Sequence, residues 1–203
     1  MHKRTIVVFA VLALVVVAIG VRIAYVNASD SNPITMETYQ MSEWVDLDGC
    51  FASNKASEST DAYSVKLVSA KLTSYNEYVS EFGRQDCMQE GLDAQSVIDM
   101  EFEIRNDGGE EGGIFLLGWK IFPERRNMYY IWDADLLKIN QPELEGTLGF
   151  AVAPGTTKNI HIPFTVNLDD RENMSEYKSD ITDTDFELVM TNSPIRKAID
   201  FHL

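Results

Sequence analysis

The clearest pattern in the chain is an alternation of period two. In Val97–Asn106, Ile98, Met100, Phe102 and Ile104 alternate with Asp99, Glu101, Glu103 and Arg105. Successive side chains of an extended strand point to opposite faces, so this segment predicts a strand with one apolar and one wet face. Asn159–Leu168 repeats the pattern: Ile160, Ile162, Phe164, Val166 and Leu168 alternate with His161, Pro163, Thr165 and Asn167. Proline cannot donate to a ladder, so Pro163 predicts that this strand lies at a sheet edge. Tyr63, Val65 and Leu67 begin a third strand, and the phase change through Val68, Ala70 and Leu72 predicts a bulge. The apolar run Ile114–Phe122 predicts a fourth, with Phe115, Leu117, Trp119 and Ile121 on one side and Leu116 and Phe122 on the other. Phe186, Leu188 and Met190, the turn Asn192-Ser193-Pro194, then Ile199, Phe201 and Leu203 predict a closing hairpin.

Shorter signals complete the picture. Met128–Trp132 reads as one more short strand, and Asn76–Arg84, Gly91–Ser96 and Glu172–Ser179 read as a turn or short helix each. Turn chemistry separates the strands at Asn106-Asp107-Gly108-Gly109, Gly112-Gly113 and Pro154-Gly155. About seven short antiparallel strands with such turns predict an all-β fold, an immunoglobulin-like β-sandwich over residues 61–203. The polar stretch 27–60 reads as a stalk and the first segment of that domain.

The N-terminus has a different pattern. After His2-Lys3-Arg4, the residues from Thr5 to Val21 carry no charge, and Ile23-Ala24-Tyr25-Val26 continues the run past Arg22. As a helix, Thr5–Val26 would be about 33 Å long, enough for a ~30 Å hydrocarbon core. Residues 1–26 therefore read as a signal anchor, a transmembrane helix with the basic end inside and the remainder extracytoplasmic. Val26-Asn27-Ala28 also offers small residues to a signal peptidase, which leaves open a chain secreted after cleavage near Ala28.

Charge narrows the function classes. The chain of 203 residues has 17 Lys+Arg, 32 Asp+Glu and a formal net charge of −15. Residues 1–26 hold three of those cations (Lys3, Arg4, Arg22) and no acid, so residues 27–203 carry 14 against 32, a net −18. Such a surface repels phosphate backbones and excludes nucleic acid as a partner. The two cysteines, Cys50 and Cys87, form an even count in an exported chain and predict a disulfide over free thiols. It would close a loop of about 37 residues and add about 3–4 kcal/mol.

A resemblance rests on four segments. They are VIDMEFEIRNDG (Val97–Gly108), FLLGWKIF (Phe115–Phe122), APGTTKNIHIPFTV (Ala153–Val166) and FELVMTNSPIRKAIDFHL (Phe186–Leu203). Following a basic start and an apolar span, this layout resembles bacterial membrane-anchored domains of unknown function with a telokin-like, immunoglobulin-like fold. The resemblance covers about residues 60–203 and implies a surface location and a sandwich. It implies no activity.

No catalytic constellation stands out. The chain has no GxSxG, HExxH, phosphate-binding loop or dinucleotide fingerprint. Its histidines are His2, His161 and His202, and the alternation puts His161 and His202 on outward faces. Asp46/Asp48 lacks the third oxygen ligand and terminal Glu of a calcium loop, while Asp133/Asp135, Asp169-Asp170 and Asp180/Asp183/Asp185 read as solvated loops, with calcium as the sharper alternative. No enzyme, cofactor or metal site is expected. Phe115, Trp119, Phe122, Tyr129, Tyr130 and Trp132 place six of 21 aromatics within eighteen residues. Trp119 reads as the buried Trp of a sandwich. Arg125, Arg126, Tyr129, Tyr130 and Trp132 form the candidate interaction patch, because exposed aromatics beside Arg suit protein and glycan contacts.

The sequence thus predicts a noncatalytic protein-interaction or ligand-binding module held at the bacterial cell surface through residues 5–26. The alternatives are a glycan or cell-wall binding module and, less supported, an extracellular hydrolase. Alkaline extraction of cells making the full chain should leave the 22.9 kDa polypeptide in the membrane pellet. A soluble product beginning near Ala28 would instead establish cleavage.

Overall fold

The computed structural model describes residues 13–25, 35–53, 58–92, 95–108, 113–124, 128–166 and 183–203. Residues 13–25 form helix α1. Its apolar side chains are exposed, among them Leu14, Val16, Val17, Val21 and Ile23. No helix among the described residues is long and apolar enough to cross a membrane.

Thr35–Leu203 is a unit of its own, and it is mostly β. Its strands are β1 (Thr35–Gln40), β2 (Trp44–Asp46), β3 (Tyr63–Ser74), β4 (Ser96–Asn106), β5 (Ile114–Phe115), β6 (Lys120–Pro123), β7 (Tyr130–Trp132), β8 (Gly149–Phe150), β9 (Thr156–Val166), β10 (Asp185–Thr191) and β11 (Ile195–His202). Helix α2 (Tyr75–Glu81) follows β3, and α3 (Ala134–Asn140) follows β7. Among the described residues, nine strands join one sheet in the order β1-β11-β10-β6-β7-β9-β4-β3-β2, and β5 pairs with β8. The strands therefore do not divide into the two facing sheets expected of a sandwich. They form one large sheet nearly closed into a barrel. The stretch read as a stalk and first segment supplies β1 and β2, the two ends of that sheet.

The alternation read from the sequence is the lining of this curl. Ile98, Met100, Phe102 and Ile104 of β4 and Ile160, Ile162 and Phe164 of β9 are fully or almost fully buried. They meet Val65, Leu67, Trp119, Ile121, Leu188 and Ile199 in one core, where Trp119 stands edge-on to Phe102 at 5.3 Å. Each such side chain contributes about 1.5–3 kcal/mol through apolar area removed from water.

The two ends of the sheet meet at a seam that, among the described residues, has no ladder of its own. At one end Phe51 bridges Ser193, and the Asn192 amide donates to the Ala52 carbonyl at 2.8 Å. At the other, the Ser42 N–H donates to the Leu67 carbonyl at 2.9 Å. Between them lies Lys197 of β11, only 2% exposed. Its ammonium donates to the Asp46 carbonyl and sits 3.4 Å from Asp48 and 3.6 Å from Glu37. Tyr39 holds Glu37 in place with a 2.8 Å hydrogen bond. Burial, helped by that bond, pushes the Tyr39 phenol up to about 12.

The outer side of β4 and β9 carries a second, smaller core. Tyr75, Tyr78 and Val79 of α2 and Leu136 and Ile139 of α3 close over Val97. Helix α2 begins with a capping box: the Ser74 hydroxyl accepts from the Glu77 N–H, and Glu77 accepts from the Ser74 N–H at 3.0 Å. Helix α3, not expected from the sequence, is capped by Asp133, which accepts from the N–H groups of Asp135 and Leu136.

Several expectations are corrected. Cys50 and Cys87 are not paired. Cys50 is buried, with its carbonyl accepting from the Thr60 hydroxyl, while Cys87 is half-buried against the second core, so the two thiols have different surroundings. Strand β9 is interior, between β7 and β4, although it contains Pro163. The β7 ladder ends at the Trp132–Phe164 pair, and Asp133 turns away, donating its N–H to the Pro163 carbonyl at 2.8 Å. The absent proline N–H therefore falls where no ladder continues. The run Ile114–Phe122 is two strands split by a 3-10 turn at Leu116–Gly118. A Cβ at Gly118 would lie 2.2 Å from that of Ala52, so glycine permits this close approach. The turn changes the phase: Leu116 and Trp119 are buried and Leu117 is 47% exposed. Gly91–Ser96 holds no helix in its described part, and Glu172–Ser179 lies outside the described residues. The expected bulge is present at Val68, where the β3–β4 register shifts between Leu67 and Ser69.

Lys197→Met keeps the apolar stem and removes the ammonium. Asp48 and Glu37 stay partly solvated, so the loss is that of hydrogen bonds to a charged group, about 2 kcal/mol. The expected outcome is a lower urea midpoint by Trp fluorescence with an unchanged m-value.

Candidate functional site

The outer faces of β1, β11, β10 and β6 form a continuous surface. Register places Thr38 beside Ala198, Gln40 beside Asp200, Glu187 beside both Asp200 and Phe122, and Asp185 beside His202. A groove of about 490 Å³ runs over it, lined by Thr38, Gln40, Phe122, Glu124, Asp185 and Asp200 among others. A second groove of about 320 Å³ lies against Leu117, Lys120, Asn192 and Arg196. Phe122 borders both. Arg196 forks onto Glu187 with two 2.8 Å hydrogen bonds.

Of the predicted patch, Tyr129 lies on this outer side. It is half-buried, 6.0 Å from the Phe122 ring, and the Lys120 ammonium sits 5.0 Å over it. Tyr130 points the other way and is fully buried, edge-on to Phe186 at 6.2 Å. Burial raises its phenol, whose oxygen has no hydrogen-bond partner among the described residues. Trp132 is half-buried and packs on the main core. Arg125 and Arg126 lie outside the described residues.

A polar cluster occupies the opposite side, under α2 and α3. Asp99 of β4 is 2% exposed. The His161 ring nitrogen lies 3.1 and 3.2 Å from its two oxygens, and Lys71 lies 3.8 Å away. Phe82 stands edge-on to the His161 ring at 5.2 Å. The Asn140 amide donates to the Tyr78 hydroxyl and to the His161 carbonyl. Burial pushes the Tyr78 phenol well up, and nearby Asp99 adds to it. The Asp99 hydrogen bond holds His161 above its ordinary 6.5, outweighing the burial that opposes it. This pair can hold and orient a proton, but no hydroxyl or thiol among the described residues hydrogen-bonds to the His161 ring. Nothing in either strand alone announces the pair, because it depends on which strands are neighbours and in what register.

The other candidates resolve into local roles. His202 is exposed between Asp185 at 2.9 Å and Asp183 at 3.2 Å, and the Asp185 hydrogen bond raises it first. Asp133 caps α3, Asp135 pairs with Lys138, and Asp46 accepts from Ser64. Asp169, Asp170 and Asp180 lie outside the described residues. Among the described residues no group of three His, Cys, Asp or Glu side chains could hold a metal ion.

These features define a β-rich domain with a grooved outer sheet face and a helix-covered polar cluster. Residues 36–197 match the family described as a domain of unknown function (DUF5028), and the chain belongs to that family. The chain is also similar to a solved structure, a conserved hypothetical protein from Bacillus anthracis. The two are 15% identical, with a TM-score of 0.41, over 79% of this chain and 94% of that one. No curated protein matches the chain.

A raised His161 stabilises the fold most when protonated. Its contribution is full below the ordinary value of 6.5 and is lost as pH rises through its higher folded midpoint. An NMR titration should place the His161 midpoint above 6.5, and Asp99→Asn should bring it down. A wild-type midpoint at or below 6.5 would show that Asp99 does not govern it.

Proposed function

We propose that the chain is a noncatalytic, membrane-tethered extracytoplasmic module that binds a protein or envelope component through the grooved face of β6, β10, β11 and β1. The observation that carries this reading is the pair of adjoining grooves sharing Phe122, with Tyr129 and Lys120 beside them. Aromatic rings next to a cation are what recognition surfaces concentrate, since they supply contact area at low entropic cost. No carboxylate pairs with Lys120 among the described residues, which leaves its ammonium for a partner. The tether rests on the uncharged span from Thr5 to Val21 behind a basic start, and on the exposed apolar side chains of α1.

A glycan or wall-polymer ligand is the second reading, favoured by the Phe122–Tyr129 ring pair on the outer side. Tyr130 and Trp132 pack inward, so any stacking platform rests on Tyr129 rather than on all three.

A photo-crosslinking side chain replacing Tyr129 in the full-length chain should give a discrete adduct in intact cells. The same group replacing Met88, exposed near α2, should give none. Lys120→Glu should abolish the adduct at 129. Equal labelling at both positions would count against a binding face here, and retention of the purified chain on wall polymer would select the glycan reading.

A further inference from the structure

Among the described residues of the grooved face, Lys120 is a charge left without an opposite partner. It is half-buried on β6, and its register neighbours are apolar: Val189 of β10 and Ile131 of β7. The Tyr129 ring stands 5.0 Å from the ammonium. Glu187 lies diagonal to it across β6 and β10, but the Arg196 fork holds that carboxylate, so those two charges cancel. The smaller groove beside Lys120 has the same character. Leu117, Phe122, Val189 and Asn192 are among its described lining residues, and none of these is Asp or Glu. The larger groove, by contrast, is lined by Glu124, Asp185, Glu187 and Asp200.

A cation in apolar surroundings sets a condition on any partner. A partner that covers this face takes water from the ammonium, and a covered charge without an acceptor weakens the complex. A carboxylate meets the condition best, because it brings a full opposite charge together with hydrogen-bond acceptors. The surface next to Lys120 asks for something else as well. Leu117 is exposed, and Phe122 adjoins it in the groove. The fitting group is therefore a carboxylate with an apolar neighbour. The groove is about 320 Å³, near the lower end of ligand sites, which suits a few side chains. A polymer of many anions fits poorly, since one free cation meets it while a chain of net charge −15 repels the remainder.

We infer that this groove takes an acidic side chain, Asp or Glu, flanked by apolar residues on an extended segment of a partner protein. The Lys120 ammonium donates to the carboxylate, and Leu117 and Phe122 cover the apolar neighbours. The inference rests on the interaction-module reading and names the chemistry of the partner's contact segment.

The probe is a capped peptide of about five residues, about 17 Å long when extended, with one central Glu between leucines. It is titrated against the full-length chain in nonionic detergent and followed by NMR. The same peptide with Gln in place of Glu is the control. The Glu peptide should shift the Leu117, Lys120 and Phe122 resonances saturably, and the Gln peptide should bind about fivefold more weakly. Lys120→Gln should make the two peptides bind alike, and Lys120→Arg should keep most of the preference. Lys138→Gln removes a cation already paired with Asp135 on α3 and should change neither affinity. Inorganic polyphosphate should fail to displace the Glu peptide. Absence of saturable shifts, equal binding of both peptides to the unaltered chain, a preference that survives Lys120→Gln, or displacement by polyphosphate overturns the proposal. If any of these occurs while the crosslink at position 129 persists, the acidic segment falls and the interaction-module reading stands.

Discussion

The architecture depends on how a nine-stranded sheet closes without a final ladder. Right-handed twist curls the strands until β1 and β11 approach β2 and β3, but only isolated contacts join the two ends. Lys197 lies at the middle of that junction, projecting from the core side of β11 to the Asp46 carbonyl and toward Asp48 and Glu37. Taking an ammonium out of water costs several kcal/mol, which partners of opposite charge and a carbonyl at close range offset.

Strand β4 links the two halves of the molecule. Most of its inner face lies in the main core, and near its start the outer face is buried as well, by α2 and α3. Asp99 sits there, where a carboxylate has little water. His161 from β9 and the more distant Lys71 compensate it. That cluster reads most simply as the polar floor on which the helices rest, because its contacts run between β4, β9, α2 and α3. The grooved face lies on β6, β10, β11 and β1, so packing around Asp99 and recognition at Phe122 use separate parts of one sheet.

Much of the strand structure was legible because period two is a local property. Ile98 to Ile104 and Ile160 to Val166 needed no partner to announce which face turns inward. The bulge at Val68 was legible for the same reason, as a break in that phase. The misread segments had local patterns with two readings. Ile114–Phe122 is apolar throughout, so its pattern could not locate a 3-10 turn whose cause is the contact of Gly118 with Ala52, some 66 positions earlier. Pro163 signalled an edge, yet a proline needs only one absent partner, and β7 ends opposite it. Of the candidate patch, alternation put Tyr129 and Tyr130 on opposite faces, and the structure has Tyr130 buried and Tyr129 half-buried. It could not supply Phe122, Lys120 and the groove between them, which four strands assemble.

The amino-acid order by itself determined the chain's acidic character, its apolar N-terminal run, its mostly β composition and the inward faces of its longest strands. Each of these follows from residue type and spacing over a few positions. Tertiary structure alone decided that the strands form one curled sheet, that Cys50 and Cys87 stay apart, that His161 meets Asp99, and that a groove opens beside β1. Those outcomes depend on strand order and register, which arise from the summed packing of distant segments and leave no mark on any short stretch of sequence.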